Sequence, residues 1–403
     1  MRGSKLGKRE WNGLHAGKEL KVESEKTKGR LQSLDAARGF DMFWIMGGEG
    51  LLVALGAAFG FTNAAEALGH VPWHGLHFMD LVFPTFLFLA GVSFPFSAAK
   101  SRARGLSSFA IARRCLVRGV MLALLGIFHD LFYWPLDFSS FRVWSVLGRI
   151  GLAWMLAAWI YLVVKNAKAR LGIAAALLLL TTAVTMLVLA PGAPAGADPF
   201  SPEGNVFCWL DRTLTAGHTF VWAGSGVKAW EGKMLFDPEG FAGILPAVVT
   251  AMLGMFAGEL VRRGDGTATP RKALGLVAGG ILSLAVGAAL SPVVPVNKAL
   301  WSPSFALVAG GVSFLVFAAF YWLVDVKGWT RGSFFFRVIG LNSITIYLAQ
   351  QLVRFGYVNE KVVAPFFGFL PPNAAAIAVA LTYIAMCWGF LLFLHRRGIY
   401  LKV

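Results

Sequence analysis

The chain has 403 residues, of which 57% are hydrophobic and 14% charged, against roughly 25% charged in a soluble globular domain. That composition excludes a water-soluble body and points to lipid as the surrounding medium. A formal charge of +16 would suit a nucleic-acid binder, but the basic residues sit at the ends of apolar runs, as membrane topology requires, so no nucleic-acid partner is expected.

Residues 1–30 carry Lys5, Lys8, Arg9, Lys18, Lys21, Lys26, Lys28 and Arg30 with no apolar core or small-residue cleavage site. The stretch is no signal peptide and reads as a disordered basic cytoplasmic tail. From residue 31 to 403 we expect one all-α, polytopic transmembrane domain, because backbone facing lipid must satisfy its own hydrogen bonds. Runs long enough to cross ~30 Å of hydrocarbon fall near 38–60, 78–99, 112–131, 143–164, 170–190, 240–262, 272–291, 302–325, 335–356 and 374–395, about ten helices in all. With both termini in the cytoplasm, every inner segment is basic and together they hold 28 of the 37 Lys and Arg residues. A missed span would invert all later loops, so the uniform sign supports the topology. The other side receives segments 61–77, 191–239 and 292–301. The second is too long for a simple connection and is expected to fold over the mouth of the bundle or to enter a site.

Cys115, Cys208 and Cys387 are scattered and odd in number, so neither a disulfide framework nor a zinc site is expected. Ionisable residues inside the spans are more informative, since each costs ~2.5–3.5 kcal/mol unless it meets a partner, a cavity or a substrate. Asp35, Arg38, Asp41, Glu49, Asp80, Arg118, His129, Asp130, Arg142 and Arg149 crowd the N-terminal half. Asp35 and Arg38 stand at i, i+3, a spacing that suits an ion pair; the arginine could equally hold a phosphate.

The segment His70-Val-Pro-Trp73-His74-Gly-Leu-His77-Phe-Met-Asp80 places three histidines and a carboxylate at a membrane boundary. Pro72 and Gly75 oppose the regular helix that would align two imidazoles on a metal, and no metal is expected. An imidazole whose tautomer a carboxylate fixes suits acyl transfer, as base or as acyl acceptor. Interfacial histidines on a wet loop are the alternative.

Several segments taken together narrow the choice. Arg30-Leu-Gln-Ser-Leu-Asp35-Ala-Ala-Arg38-Gly39, His70-x-x-Trp73-x-Gly75-Leu-x-x-x-Asp80-Leu-Val-Phe-Pro84, Phe236-Asp237-Pro-Glu239-Gly240, Pro295-Val-Asn297-Lys298-x-Leu-Trp301-Ser302, and Asp325-Val-Lys-Gly328 with Asn342-Ser343 follow one another in order. This series resembles the heparan-α-glucosaminide N-acetyltransferase family. The resemblance implies an integral membrane enzyme, expected in a bacterial inner membrane, that takes acetyl-CoA from the cytoplasm and acetylates the amine of a glucosamine-type sugar on the far side. It places His70 at the catalytic histidine, and Asp80, Asp237, Glu239, Asn297 and Lys298 at family positions. Lys298 is expected to meet a phosphate or an oxyanion or else to form a structural ion pair, Asn297 and Asn342 to meet sugar hydroxyls or pantetheine or else to join helices, and Arg38, Asp35 and Trp73 to meet the substrate or CoA.

Two departures shape the acceptor. The family's lysosomal members carry a domain before the membrane part where this chain has the basic tail, so a small amino sugar is expected. They are also expected to have Asn where this chain has Glu49, which makes Glu49 a candidate second acid/base. A homodimer is compatible with the sequence. A sugar permease and an O-acyltransferase of envelope polysaccharide are the competing readings.

Overall fold

The computed structural model describes residues 31–61, 63–133, 141–221, 232–264 and 266–401. The basic tail 1–30 and part of the 191–239 loop lie outside the described residues. The protein is all-α and polytopic; among the described residues the only β contact is a single bridge between Leu189 and Asn205. The long helices are α1 (Gln32–Ala58), α2 (Phe78–Ala103), α3 (Ser108–Tyr133), α4 (Val146–Val163), α5 (Ala167–Leu187), α7 (Ile244–Arg262), α8 (Pro270–Leu290), α9 (Pro303–Val326) and α12 (Pro372–Arg396). The short α6 (Val206–Leu214) lies in the long loop, and α10 (Phe334–Leu341) and α11 (Ser343–Leu352) follow α9.

All ten predicted runs are helical, and eight helices among the described residues are able, by length and apolar composition, to cross a membrane. α3, of 26 residues, is also long enough to span, with Arg118 and Asp130 the charges within its apolar stretch. The run at 335–356 breaks at Asn342 (φ −128°, ψ 31°) into α10 and α11, neither long enough to span alone.

A second break interrupts α1. Met46 (φ −81°, ψ 15°) and Gly47 (φ 112°) leave helical geometry, and Gly47 is the residue type that tolerates that φ. Interrupted backbone at membrane depth is tolerated where it is buried in protein or lines a cavity. Both breaks flank the same chamber: Met42 and Ile45 precede one, Ser343, Ile344 and Tyr347 follow the other, and all five line it.

The core that holds these helices is built on close approach. In α7, Gly254 and Gly258 are four apart, so they share a face. A Cβ on Gly254 would lie 2.0 Å from the Phe88 carbonyl oxygen, and one on Gly258 2.3 Å from that of Val92. Small residues at helical spacing let membrane helices pack backbone to backbone where hydrophobicity gives no preference between helix and lipid. The same device joins α1 to α10, where a Cβ on Gly39 or Gly340 would meet the Phe336 or Asp35 carbonyl oxygen below 2 Å. Around these contacts Leu87, Phe94, Trp154, Met252, Trp301 and Phe305 form the largest buried cluster.

A candidate acyl-transfer site at one end of the bundle

The described parts of segments 61–77, 191–239 and 292–301 meet at one end of the bundle. The Trp73 indole donates to the Phe200 carbonyl at 2.9 Å and its ring packs 4.4 Å from Phe236. The Gly75 amide donates to the Val296 carbonyl at 2.8 Å. With Pro72 and Gly75 (φ 116°) between them, residues 69–77 run irregularly, as predicted, until Phe78 starts α2.

Asp80 sits one turn into that helix and is 1% exposed. Its Oδ2 accepts the amides of Val71 (3.2 Å) and His77 (3.0 Å), which pins the carboxylate. Its Oδ1 lies 2.8 Å from His70 Nδ1 and 3.4 Å from Lys298 Nζ, and Lys298 Nζ is 3.1 Å from His70 Nδ1. The carboxylate is the closest group to Nδ1 and accepts only, so the ring proton is assigned to Nδ1, where it donates to Asp80. In that neutral tautomer Nε2 is the nitrogen left free, on a side chain that is 58% exposed. His70, Glu239 and Lys298 supply the ionisable lining of a cavity of about 270 Å³ whose other walls are mainly apolar. A buried carboxylate, an oriented imidazole and an ammonium at the mouth of an apolar chamber form an arrangement able to remove a proton, or accept an acyl group, beside a developing negative charge.

The segment's other histidines do not converge on His70. His74 Nδ1 lies 3.3 Å from Asn297 Nδ2, and burial holds its pKa below the usual histidine value although Asp198 pulls the other way. His74 therefore stays neutral and accepts from the amide. Among the described residues no group of three or more His, Cys, Asp or Glu side chains could hold a metal.

Glu239 reaches the chamber because a cation holds it there. Arg142, in the loop before α4, donates through Nε to Asp237 Oδ2 at 2.9 Å, and its Nη2 contacts both Asp237 and Glu239 closely. Asp237 also accepts the amides of Phe220 (3.0 Å) and Glu239 (2.9 Å). Arg149, 2% exposed, donates to the Gly240 carbonyl at 2.8 Å. Below it Asp211 of α6 fills the space a Cβ on Gly240 would need, 1.8 Å from Oδ2.

Burial pushes the Asp211 carboxyl up to about 7, with Asp237 reinforcing the rise and Arg149 opposing it. A carboxyl whose folded pKa lies above its unfolded 3.8 binds protons more readily when folded. Its contribution to stability therefore falls as pH rises from about 4 to about 7. Asp211→Asn keeps the oxygen that accepts the Ala242 amide and removes the titration. Thermal melts from pH 4 to 8 are expected to show the variant gaining on the native protein as pH rises; parallel melting curves would exclude Asp211 as the titrating group.

The remaining predicted site residues are placed as follows. Trp73 ties two loops together, and Asn297 holds its own turn by accepting the Leu300 amide at 2.9 Å while facing His74. The Asn342 amide donates to the Ile399 carbonyl (3.1 Å) and its oxygen accepts from Thr345 (3.2 Å), so its neighbour Ser343 faces the chamber instead. Asp35 and Arg38 are 3.9 Å apart in the first turns of α1, and Arg38 also reaches the Leu89 carbonyl at 3.4 Å. Glu49 follows the break in α1, one turn beyond the chamber-lining Ile45, and does not itself line the cavity. Sequence reasoning gave Arg142, Asp211 and Tyr347 no place in the site. The Asp-x-Glu pair at 237 and 239 was the available signal, since two buried carboxylates require a cation.

Fold and site together define an integral membrane protein of the polytopic all-α class with a His–carboxylate–Lys group opening on an apolar chamber. Comparison with family models gives no match. Among curated proteins the chain is 27% identical over 323 residues to the human heparan-α-glucosaminide N-acetyltransferase, and 27% identical over 326 residues to the mouse protein. These alignments cover 70% and 71% of this chain and 48% and 49% of the two relatives, so the chain spans about half the length of the curated relatives it matches. The resemblance seen in the ordered motifs is therefore one of kinship: the chain is related to the heparan-α-glucosaminide N-acetyltransferases.

Proposed function

We propose that this protein transfers an acetyl group from acetyl-CoA to the amine of a glucosamine-type amino sugar across a membrane, expected to be a bacterial inner membrane. The observation that carries the reading is His70, its Nδ1 within hydrogen-bond reach of buried Asp80, on the wall of a chamber that Lys298 and Glu239 also line. Kinship with N-acetyltransferases supports the same chemistry.

Two routes use these residues. In one, His70 Nε2 takes a proton from the sugar amine as its nitrogen attacks the thioester carbon, the carbon–sulfur bond breaks, and CoA leaves. In the other, Nε2 attacks the thioester carbon, the carbon–sulfur bond breaks and CoA leaves; the amine then attacks the acetyl-imidazole, the bond to Nε2 breaks, and Nε2 takes up the amine proton. In both, Lys298 lies close enough to the imidazole to oppose the negative charge gathering on the thioester oxygen. The apolar walls keep water from the thioester. In this reading acetyl-CoA enters from the basic-loop side, taken as cytoplasmic by the positive-inside rule, and the His70 end is the acceptor side.

The test is transfer in proteoliposomes given acetyl-CoA labelled in its acetyl group and a panel of amino sugars, with products read by mass spectrometry. Label on the nitrogen of a glucosamine-type sugar is expected. Label on a hydroxyl would move the reading to O-transfer, and sugar uptake independent of acetyl-CoA with no labelled product would replace it with permeation.

A further inference from the structure

A second chamber, of about 520 Å³, adjoins the first; Ile45 and Tyr347 line both. Its volume lies within the range of ligand clefts, roughly 300–1,000 Å³, and its lining is of a different kind. His129, Gln350, Gln351, Arg354 and Tyr383 face it with little aliphatic surface. We infer that this second chamber is the acceptor subsite of the transferase proposed above, and that it takes a sugar carrying an anionic substituent, with Arg354 as the reader of that charge.

Three observations carry the inference. First, the lining offers amides, phenols and an imidazole, groups that exchange hydrogen bonds with sugar hydroxyls. Tyr383 Oη donates to Gln350 Oε1 at 3.3 Å, so the Gln350 NH₂ remains a donor. Second, the partition between the chambers is a ring pair. Tyr347 stacks on His129 at 4.5 Å, and His129 is itself held by Asp130 at 2.9 Å. A sugar in the second chamber therefore lies beside an ordered aromatic wall and next to the compartment that His70 lines.

Third, Arg354 is held in a conformation that side chains with a Cβ seldom adopt. It has φ 52° and ψ 47° at the start of the turn Phe355–Val358. Such backbone outliers in non-glycine residues concentrate at ligand clamps. Its guanidinium is exposed, and among the described residues no carboxylate pairs with it. A planar fork of donors at the lip of a polar chamber fits a carboxylate, sulfate or phosphate bidentately. The placement also suits the acceptor, because Tyr347 on the chamber's wall lines the His70 chamber as well.

Because the inference rests on the acetyl-transfer reading, binding is measured apart from transfer. Calorimetry on the full chain in nanodiscs compares glucosamine with glucosamine 6-phosphate as probes, and CoA as a third ligand. The native protein is expected to bind the phosphorylated sugar about ten-fold more tightly than glucosamine, the value of one charge-assisted contact. Arg354→Ala should erase that preference and leave CoA affinity unchanged. Arg354→Gly relieves the backbone and serves if the alanine variant folds poorly, and Gln351→Leu should weaken both sugars. An unchanged preference in Arg354→Ala overturns the inference, as does a loss of CoA affinity in its place. Sugar binding as described with no acetyl transfer would remove the enzymatic reading while leaving the subsite; transfer with an Arg354-independent KM would do the reverse.

Discussion

Replacing His70 with alanine is expected to slow acetyl transfer by about 10²- to 10⁴-fold, the range a positioned general base provides, while the melting temperature stays close to that of the native protein. The two halves of the expectation have separate sources. The loss follows from Nε2, the nitrogen proposed to take the proton at the chamber wall. The unchanged melting follows from exposure: the His70 side chain is 58% exposed, and its contact with Asp80 is a boundary hydrogen bond rather than core packing. Asp80→Asn makes a sharper test, because the amide can present its oxygen or its NH₂ to Nδ1 and no longer fixes the tautomer. It also leaves Lys298 Nζ without the carboxylate 3.4 Å away. The asparagine variant should therefore lose activity and some stability together, whereas the alanine variant loses activity alone. A His70→Ala protein that folds normally and retains full transfer would sink the assignment.

Much of the architecture was legible in the sequence because hydropathy and charge placement report on the solvent directly. Every predicted run is helical, and the described parts of the three segments expected on the outer side meet at one end. What the sequence concealed were the interruptions. Gly47 and Asn342 each stop a helix inside a continuous apolar run, and hydropathy averaged over a span is blind to one residue's backbone angle. The site was partly legible in the same way. His70, Asp80 and Lys298 lie in motifs whose spacing across 228 residues could not be converted into distance, yet they come within 3.4 Å of one another. Arg142 stood out as a costly charge, but its partners lie 95 and 97 residues downstream, and only folding shows that it holds Glu239 at the chamber. Side chains such as Asn342 and Asn297 had two uses open to them, ligand or scaffold. The structure places both amides in contacts with their own chain.

Removing Arg142 is expected to be the most destabilising single change near the site. Arg142→Ala leaves Asp237 and Glu239, 2% and 6% exposed, facing each other without the guanidinium that both contact. Breaking one partner out of a buried ion network costs about 3–5 kcal/mol, since the remaining charges stay desolvated. The pH dependence should also change sign. In the native protein burial alone would raise the Glu239 carboxyl, but Arg142, with Lys298 and Arg149 behind it, overcomes that and holds the group below 4.5. A depressed carboxylate adds stability above its unfolded pKa, and that stability is lost as pH falls through the folded value, so the native protein is acid-labile through this network. Without Arg142 the leading influence is burial, which favours the protonated form, and stability should then drop as pH rises instead. Adding Asp237→Asn and Glu239→Gln to Arg142→Ala removes the uncompensated charges and should recover much of the loss, as double-mutant logic requires of groups in contact. Melting curves of the single and triple variants between pH 4 and 8 decide the matter. A single variant that melts like the native protein at pH 8 would show that the network does not hold Glu239 in place.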